Sequence, residues 1–232
     1  MDNRNQILDY VSLRDPGSSR QVSPFDIRHV FQTFGTYDLP FGRGRWLSVN
    51  NRLLNGAIGG WTLGSVFVFQ TGAPIQLTGG FNTVSVTNNP IANGVRLAPG
   101  VTLEQIQKMF DAQRSRLNRP NITDLQRLSV DPQLIGPDGR ANPAFLVPNT
   151  TPGDFGQLLY LRDKNTFQWD VSITKGFQIL EKTRLDIFVV STNVLNHPRW
   201  GFPDASTFSQ TFGVVGAPGG SRSINLRATL SF

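Results

Sequence analysis

Every second residue between Ile224 and Phe232 is apolar: Ile224, Leu226, Ala228, Leu230 and Phe232. Ser223, Asn225, Arg227, Thr229 and Ser231 fill the positions between them. Alternation with a period of two predicts a strand with one apolar face and one wet face. Such a face covers a soluble core or meets lipid, with a watery lumen behind it. A strand ending on a bare aromatic favours lipid, because an interfacial aromatic is what a membrane strand places at the bilayer boundary.

The same period recurs upstream. Residues 30–39 predict a strand with Phe31, Thr33, Gly35, Tyr37 and Leu39 on one side, ended by Pro40. In the strand that follows, Trp61, Leu63, Phe67 and Phe69 share a face, and Gly72 and Pro74 break it. Trp169, Val171 and Ile173 alternate with Asp170, Ser172 and Thr174 in a further strand. Leu185, Ile187 and Val189 alternate with Arg184, Asp186 and Phe188 in the next, which reads on to about residue 196. Residues 1–10 read as the tail of another strand (Ile7, Leu8, Tyr10, with Val11). Between about 75 and 160 the pattern is irregular, apart from one helix expected over 102–117. Its cap is Thr102, with Gln105 three residues on, and Leu103, Ile106 and Phe110 form a stripe expected to pack on its own loop. The Asn/Pro/Gly-rich stretch 135–156 has no period and is expected to be surface loop.

The connections alternate in length. With the C-terminus facing the periplasm, the loops 10–24, 71–165 and 197–221 fall outside, and the connections 40–55 and 178–182 fall inside. Long loops outside and short turns inside are the architecture of an outer-membrane barrel. Aromatics sort the same way: Tyr37, Phe41, Trp61, Phe177 and Phe232 at periplasmic ends, and Phe25, Phe69, Trp169, Trp200 and Phe202 at outer ends. From these, Tyr37, Trp61, Phe69, Trp169, Phe177 and Trp200 are expected to form two girdles. A strand of ~11 residues rising ~3.3 Å each and tilted ~40° spans roughly 28 Å, enough for an apolar band of ~25 Å. The expected fold is all-β: antiparallel up-and-down strands forming part of a transmembrane barrel, one domain over 1–232, with long external loops and one short loop helix. The alternative is a soluble or surface-attached β-sandwich whose loops bind carbohydrate or protein, with Trp200 and Phe202 stacking on sugar rings.

Composition adds boundaries. Apolar residues make up 38% of the chain and no run of 18 exists, so no transmembrane helix is expected. Residues 1–10 lack the apolar centre of a signal peptide, so an export signal is expected upstream in a longer protein, or the chain is a fragment. Cysteine is absent, which removes disulfide scaffolds and thiolate metal sites. The net charge of +6 is scattered through loops and reads as a solvated surface, with no nucleic-acid partner.

The sequence holds no catalytic constellation, and no enzyme, metal or cofactor role is expected. His29 and His197 have no neighbours at ligand spacing, and no nucleophile elbow, zinc-protease motif or phosphate loop occurs. Gly42–Arg45 lacks the third glycine and helix of a dinucleotide fingerprint and reads as a charged turn. The glycosylation-type triplets at 121–123 and 149–151 are too short to carry meaning. Asp170 and Asp186 on adjacent strands raise a carboxylate pair, but Arg184 makes a lumenal salt bridge the plainer reading.

Six stretches carry a resemblance: FDIRHVFQTFGTYDLPFGRGRW, GGWTLGSVFVFQTGAPIQL, SVDPQLIGPDGRANPAFL, FQWDVSITKGFQI, RLDIFVVSTNVLNHPRWGFP and the terminal strand. In order and spacing they resemble the C-terminal part of Oar-like TonB-dependent receptors, which carry a carboxypeptidase-regulatory-like N-terminal domain. That resemblance implies a plugged barrel of about twenty-two strands, which imports a scarce nutrient when energised through TonB. It also implies that Ile224, Leu226, Ala228, Leu230 and Phe232 form the signal read by the barrel-assembly machinery. The implied partners are outer-membrane lipid, the remaining strands and plug, and TonB, reached only through N-terminal parts this chain lacks. With about five or six strands and no plug, the segment is expected to keep open edges and to be inactive alone.

Overall fold

The computed structural model describes residues 22–23, 25–42, 45–46, 51–81, 83, 94–116, 122–180 and 182–232. The strand expected over 1–10, part of the charged turn at 42–45 and part of the glycosylation-type triplet at 121–123 lie outside the described residues. The chain divides into a sheet unit (His29–Gln70, Asn165–Arg199, Gly219–Phe232) and a loop unit (Met1–Arg28, Thr71–Lys164, Trp200–Pro218).

In chain order the elements are β1 (Val30–Asp38), α1 (Arg52–Ile58), β2 (Trp61–Gln70), β3 (Pro74–Leu77), β4 (Val95–Leu97) and α2 (Leu103–Phe110). They continue with β5 (Arg127–Leu128), β6 (Leu146–Pro148), β7 (Leu159–Arg162), β8 (Thr166–Leu180), β9 (Thr183–Thr192), β10 (Val214–Val215) and β11 (Ser223–Ser231).

The sheet unit is one antiparallel sheet in the order β1-β2-β8-β9-β11. Each strand pairs with the sheet strand that follows it in the chain, as in an up-and-down barrel, but the sheet is open. Val30, Gln70 and Thr166 stand side by side at one end, as do Ser223 and Thr192. All connections leaving that end run through the loop unit. At the opposite end β8 and β9 are joined across residues 181–182, and the β1–β2 connection holds α1.

Two boundaries depart from expectation for local reasons. β9 stops at Thr192 because Asn193 and Asn196 take left-handed backbone angles (φ 49° and 51°), which asparagine tolerates better than most residues. The Asn193 side chain completes this turn: its amide donates to the carbonyls of His197 and Gly220, and its oxygen accepts from the His197 N–H. α1 was not expected. Its signal was present in Asn51, whose side chain accepts from the Leu54 N–H as a cap, and in the glycines that follow.

The loop unit has a true core. Leu77, Val95, Ile106, Phe110, Leu128, Val130, Leu134, Leu146, Leu161 and Phe212 are buried together. Phe110 and Phe212 meet edge to face at 6.1 Å. The expectation of surface loop over 135–156 is corrected here, since Ile135, Ala141 and Leu146 belong to this core. An aperiodic segment can be buried when side chains satisfy its backbone. Asn142 Nδ2 donates to the Gln133 carbonyl, and buried Asn149 donates to that of Asp154.

α2 packs Ile106 and Phe110 inward and Thr102 accepts from the Gln105 N–H, as expected, but Leu103 of the expected stripe stays exposed in the first turn. It ends at Phe110, short of residue 117, because two other partners take over. The Lys164 ammonium accepts the role of C-cap, donating to the Phe110 and Ser129 carbonyls at 2.7 and 2.6 Å and to Ser129 Oγ at 3.0 Å. Ser115 is drawn into a backbone bridge with Leu128.

Burial, and then the charge of Arg114, push the Lys164 pKa down from 10.5 to about 8, against the opposing pull of Asp163 and Asp111. Below pH 8 both folded and unfolded chains hold the proton, and the penalty is full. Between pH 8 and 10.5 only the unfolded chain holds it, so stability rises with pH across that window. Proteolysis of the loop unit at graded urea should therefore show greater resistance at pH 10 than at pH 8. Lys164→Gln should flatten the profile; an unchanged slope in that variant would assign the effect elsewhere.

Candidate membrane and lumen surfaces

Register sorts the sheet into two faces. One carries Phe31, Tyr37, Trp61, Leu63, Phe67, Phe69, Phe167, Trp169, Val171 and Ile173, and continues through Phe177, Leu185, Ile187, Val189, Ile224, Leu226, Ala228 and Leu230. Nothing covers most of it: Leu226 is 73% exposed, and Ile173, Trp169 and Leu230 are also exposed. Among the described residues, the only buried side chains of the sheet unit are Lys175 and Asn193. A soluble sandwich would bury such a face against a second sheet. An apolar surface of this extent left open by the protein is one that hydrocarbon covers.

The proposed assembly signal, Ile224, Leu226, Ala228, Leu230 and Phe232, lies on or just beyond the edge strand β11, and Phe232 is 94% exposed. Tyr37, Trp61 and Phe177 lie toward the end that holds the β8–β9 turn. At the other end Phe69 stands between Phe31 and Phe167, two aromatics that local spacing did not assign to a girdle. Trp169 follows one rung in, paired with Phe67, and its indole N–H donates to Ser65 Oγ at 2.8 Å. That bond matters on a lipid-facing surface, where an unpaired N–H costs on the order of several kcal/mol. Trp200 is not carried on the sheet. It falls in the loop unit with the Arg114 guanidinium 5.6 Å from its ring centre, and Phe25 and Phe202 are in that unit too.

The opposite face is polar along β8 and β11 and at both ends of β9; Phe188 and Val190 interrupt it on β9, and Phe34, Val66 and Val68 lie on it in β1 and β2. Arg184 Nε donates to Asp186 Oδ1 at 2.9 Å, in space that Gly176 leaves open: a Cβ there would lie 2.7 Å from Arg184. Asp170 is engaged elsewhere, accepting from Gln168 Nε2 and from the Asn193 N–H at 2.8 Å. Gly176 is the partner of Asp186, six residues along β8 from Asp170, a separation of roughly 20 Å. The two carboxylates therefore form no pair. Arg199 reaches Gln168 Oε1 at 3.2 Å and joins this network. His197 stacks on Phe167 at 4.2 Å. Among the described residues no three acidic, histidine or cysteine side chains gather as for a metal ion.

A meander with a bare, continuously apolar face, a reverse face polar along β8 and β11, and its long connections leaving one end defines a set of transmembrane β-strands. The family described as outer membrane beta barrel domain matches residues 2–225. The chain belongs to that family and resides in the bacterial outer membrane. No curated protein and no solved structure matches it.

Proposed function

We propose that this chain supplies closing strands and outer loops of a TonB-dependent receptor, a large barrel that binds a scarce nutrient and admits it when energised. The observation that carries the reading is the loop unit. The connections from one end of the sheet fold into a body with its own hydrophobic core, whereas a simple pore needs only loops long enough to turn the chain. A folded outer body gives a receptor a preorganised binding surface. Open edges on β1 and β11 support a larger barrel, because unpaired backbone groups are intolerable in hydrocarbon. On this reading the role is binding and passage, not catalysis. The partners are lipid, further strands and a plug, the assembly machinery acting on β11, and TonB through other parts of the receptor.

Uptake tests the proposal. In the source bacterium, disrupting the gene is expected to abolish high-affinity uptake of at least one among labelled ferric chelates, cobalamin and oligosaccharides. A protonophore is expected to abolish the same uptake in the parent strain. Gene-dependent influx that ignores the protonophore would leave a passive pore and overturn the proposal.

A further inference from the structure

The exception on the apolar face is Lys175. It stands opposite Trp61 in the register, between Ile173 and Phe177, yet it is only 1% exposed. Its ammonium donates to the carbonyls of Gly56, Ala57 and Gly59 at 2.8, 2.7 and 2.6 Å. Trp61 Nε1 adds a bond to the Ala57 carbonyl at 3.1 Å. The Trp61 and Phe177 rings lie 4.8 and 4.7 Å from the ammonium. α1 is thus laid on the face that meets lipid, with its C-terminal carbonyls answered by side chains of that face.

Two features say what covers the other side of α1. A helix of 7 residues is not stable alone; with water around it, its last carbonyls would need no dedicated donors. Here four side-chain bonds replace water, as an interface poor in water requires. Continuity with the lipid-facing sheet is direct, through Trp61, Lys175 and Phe177. Trp46 and Leu54 nearby in the connection remain 92% and 50% exposed. Charge points the same way: residues 39–60 hold Arg43, Arg45 and Arg52 and no Asp or Glu. Asp38 offsets part of this, 3.7 Å from Arg45, though both side chains stay more than half exposed. Gly42 and Gly59 pin the connection, since a Cβ on Gly42 would lie 2.6 Å from the Gly59 Cα.

From this we infer that α1 is an interfacial helix that binds anionic phospholipid in the headgroup layer on the β8–β9 turn side, with Lys175 as the strut that holds it to the barrel wall. The inference goes beyond nutrient uptake and rests only on the membrane location of the sheet.

The chain has no cysteine, so Leu54→Cys carries a single environment-sensitive dye, and Ile173→Cys gives a reference inside the bilayer. Each variant is inserted, together with the further strands that close the barrel and with any cysteine of those strands replaced, in phosphatidylcholine vesicles containing phosphatidylglycerol. The dye at 54 should be shielded from aqueous iodide and quenched more by headgroup-level than by deep nitroxide lipid. Spin-labelled phosphatidylglycerol should quench it more than spin-labelled phosphatidylcholine. That preference should fall about fivefold for each of Arg45→Gln and Arg52→Gln. Lys175→Met should expose the dye to iodide; if that variant does not insert, the result at 54 in the otherwise native chain decides. Iodide access at 54 with residue 173 still shielded, or no preference for the anionic lipid, overturns the inference.

Discussion

Ile173→Arg is expected to destabilise the inserted sheet by about 2–4 kcal/mol, whereas Asn225→Arg is expected to leave it nearly unchanged. Ile173 lies on the central strand β8, with Leu63 on one side and Val189 on the other, and its side chain is on the apolar face. Two rungs on, Phe177 marks the turn side; three rungs back, Phe167 marks the other. The site is therefore near the middle of the hydrocarbon. Arginine there costs about 2–4 kcal/mol, falling to about 0–1 near the interfaces. Against a total stability of about 5–15 kcal/mol, this is enough to shift a urea midpoint by a large part of its range. Asn225 carries its side chain on the polar face of β11, where a second cation beside Arg227 is bathed in water. Heat-modifiable migration on gels, after urea titration of the barrel closed by its further strands in lipid vesicles, measures both. Equal losses in the two variants would mean that the faces are not separated between lipid and lumen.

Phe212→Ala is expected to unfold the loop unit while the sheet stays inserted. Phe212 is fully buried against Phe110, and its truncation costs about 3–5 kcal/mol through lost transfer free energy and the cavity left behind. Among the described residues, the side chains of that core all come from the loop unit, so the loss is expected to fall on that unit. Limited proteolysis should cut within 71–164 in the variant and not in the parent, with heat-modifiable migration preserved in both. Loss of insertion along with the loop unit would instead show that the strands depend on the loops for stability.

Alternation is a local property, and that is why the strands were legible. In β11 the apolar series Ile224, Leu226, Ala228 and Leu230 needs no knowledge of a partner to be assigned to one face, because successive side chains must point to opposite sides. The lipid reading followed from the same local feature, and so did the side-chain pairing of Arg184 with Asp186 two residues on.

What pairing decides is not local. The strand register brought Phe31 and Phe167 to Phe69 and parted Asp170 from Asp186, and a shift of one residue would have reversed every face. The core of the loop unit joins Leu77, Leu146 and Phe212 across more than a hundred residues, with no period to announce it. Its polar residues, read as marks of surface, are there to satisfy buried backbone. Lys175 was the least legible of all, since a lysine in an apolar series looks like a break in the pattern. Only the folded connection, bringing two carbonyls of α1 and that of Gly59 just beyond it within 2.8 Å of its ammonium, turned that exception into a support.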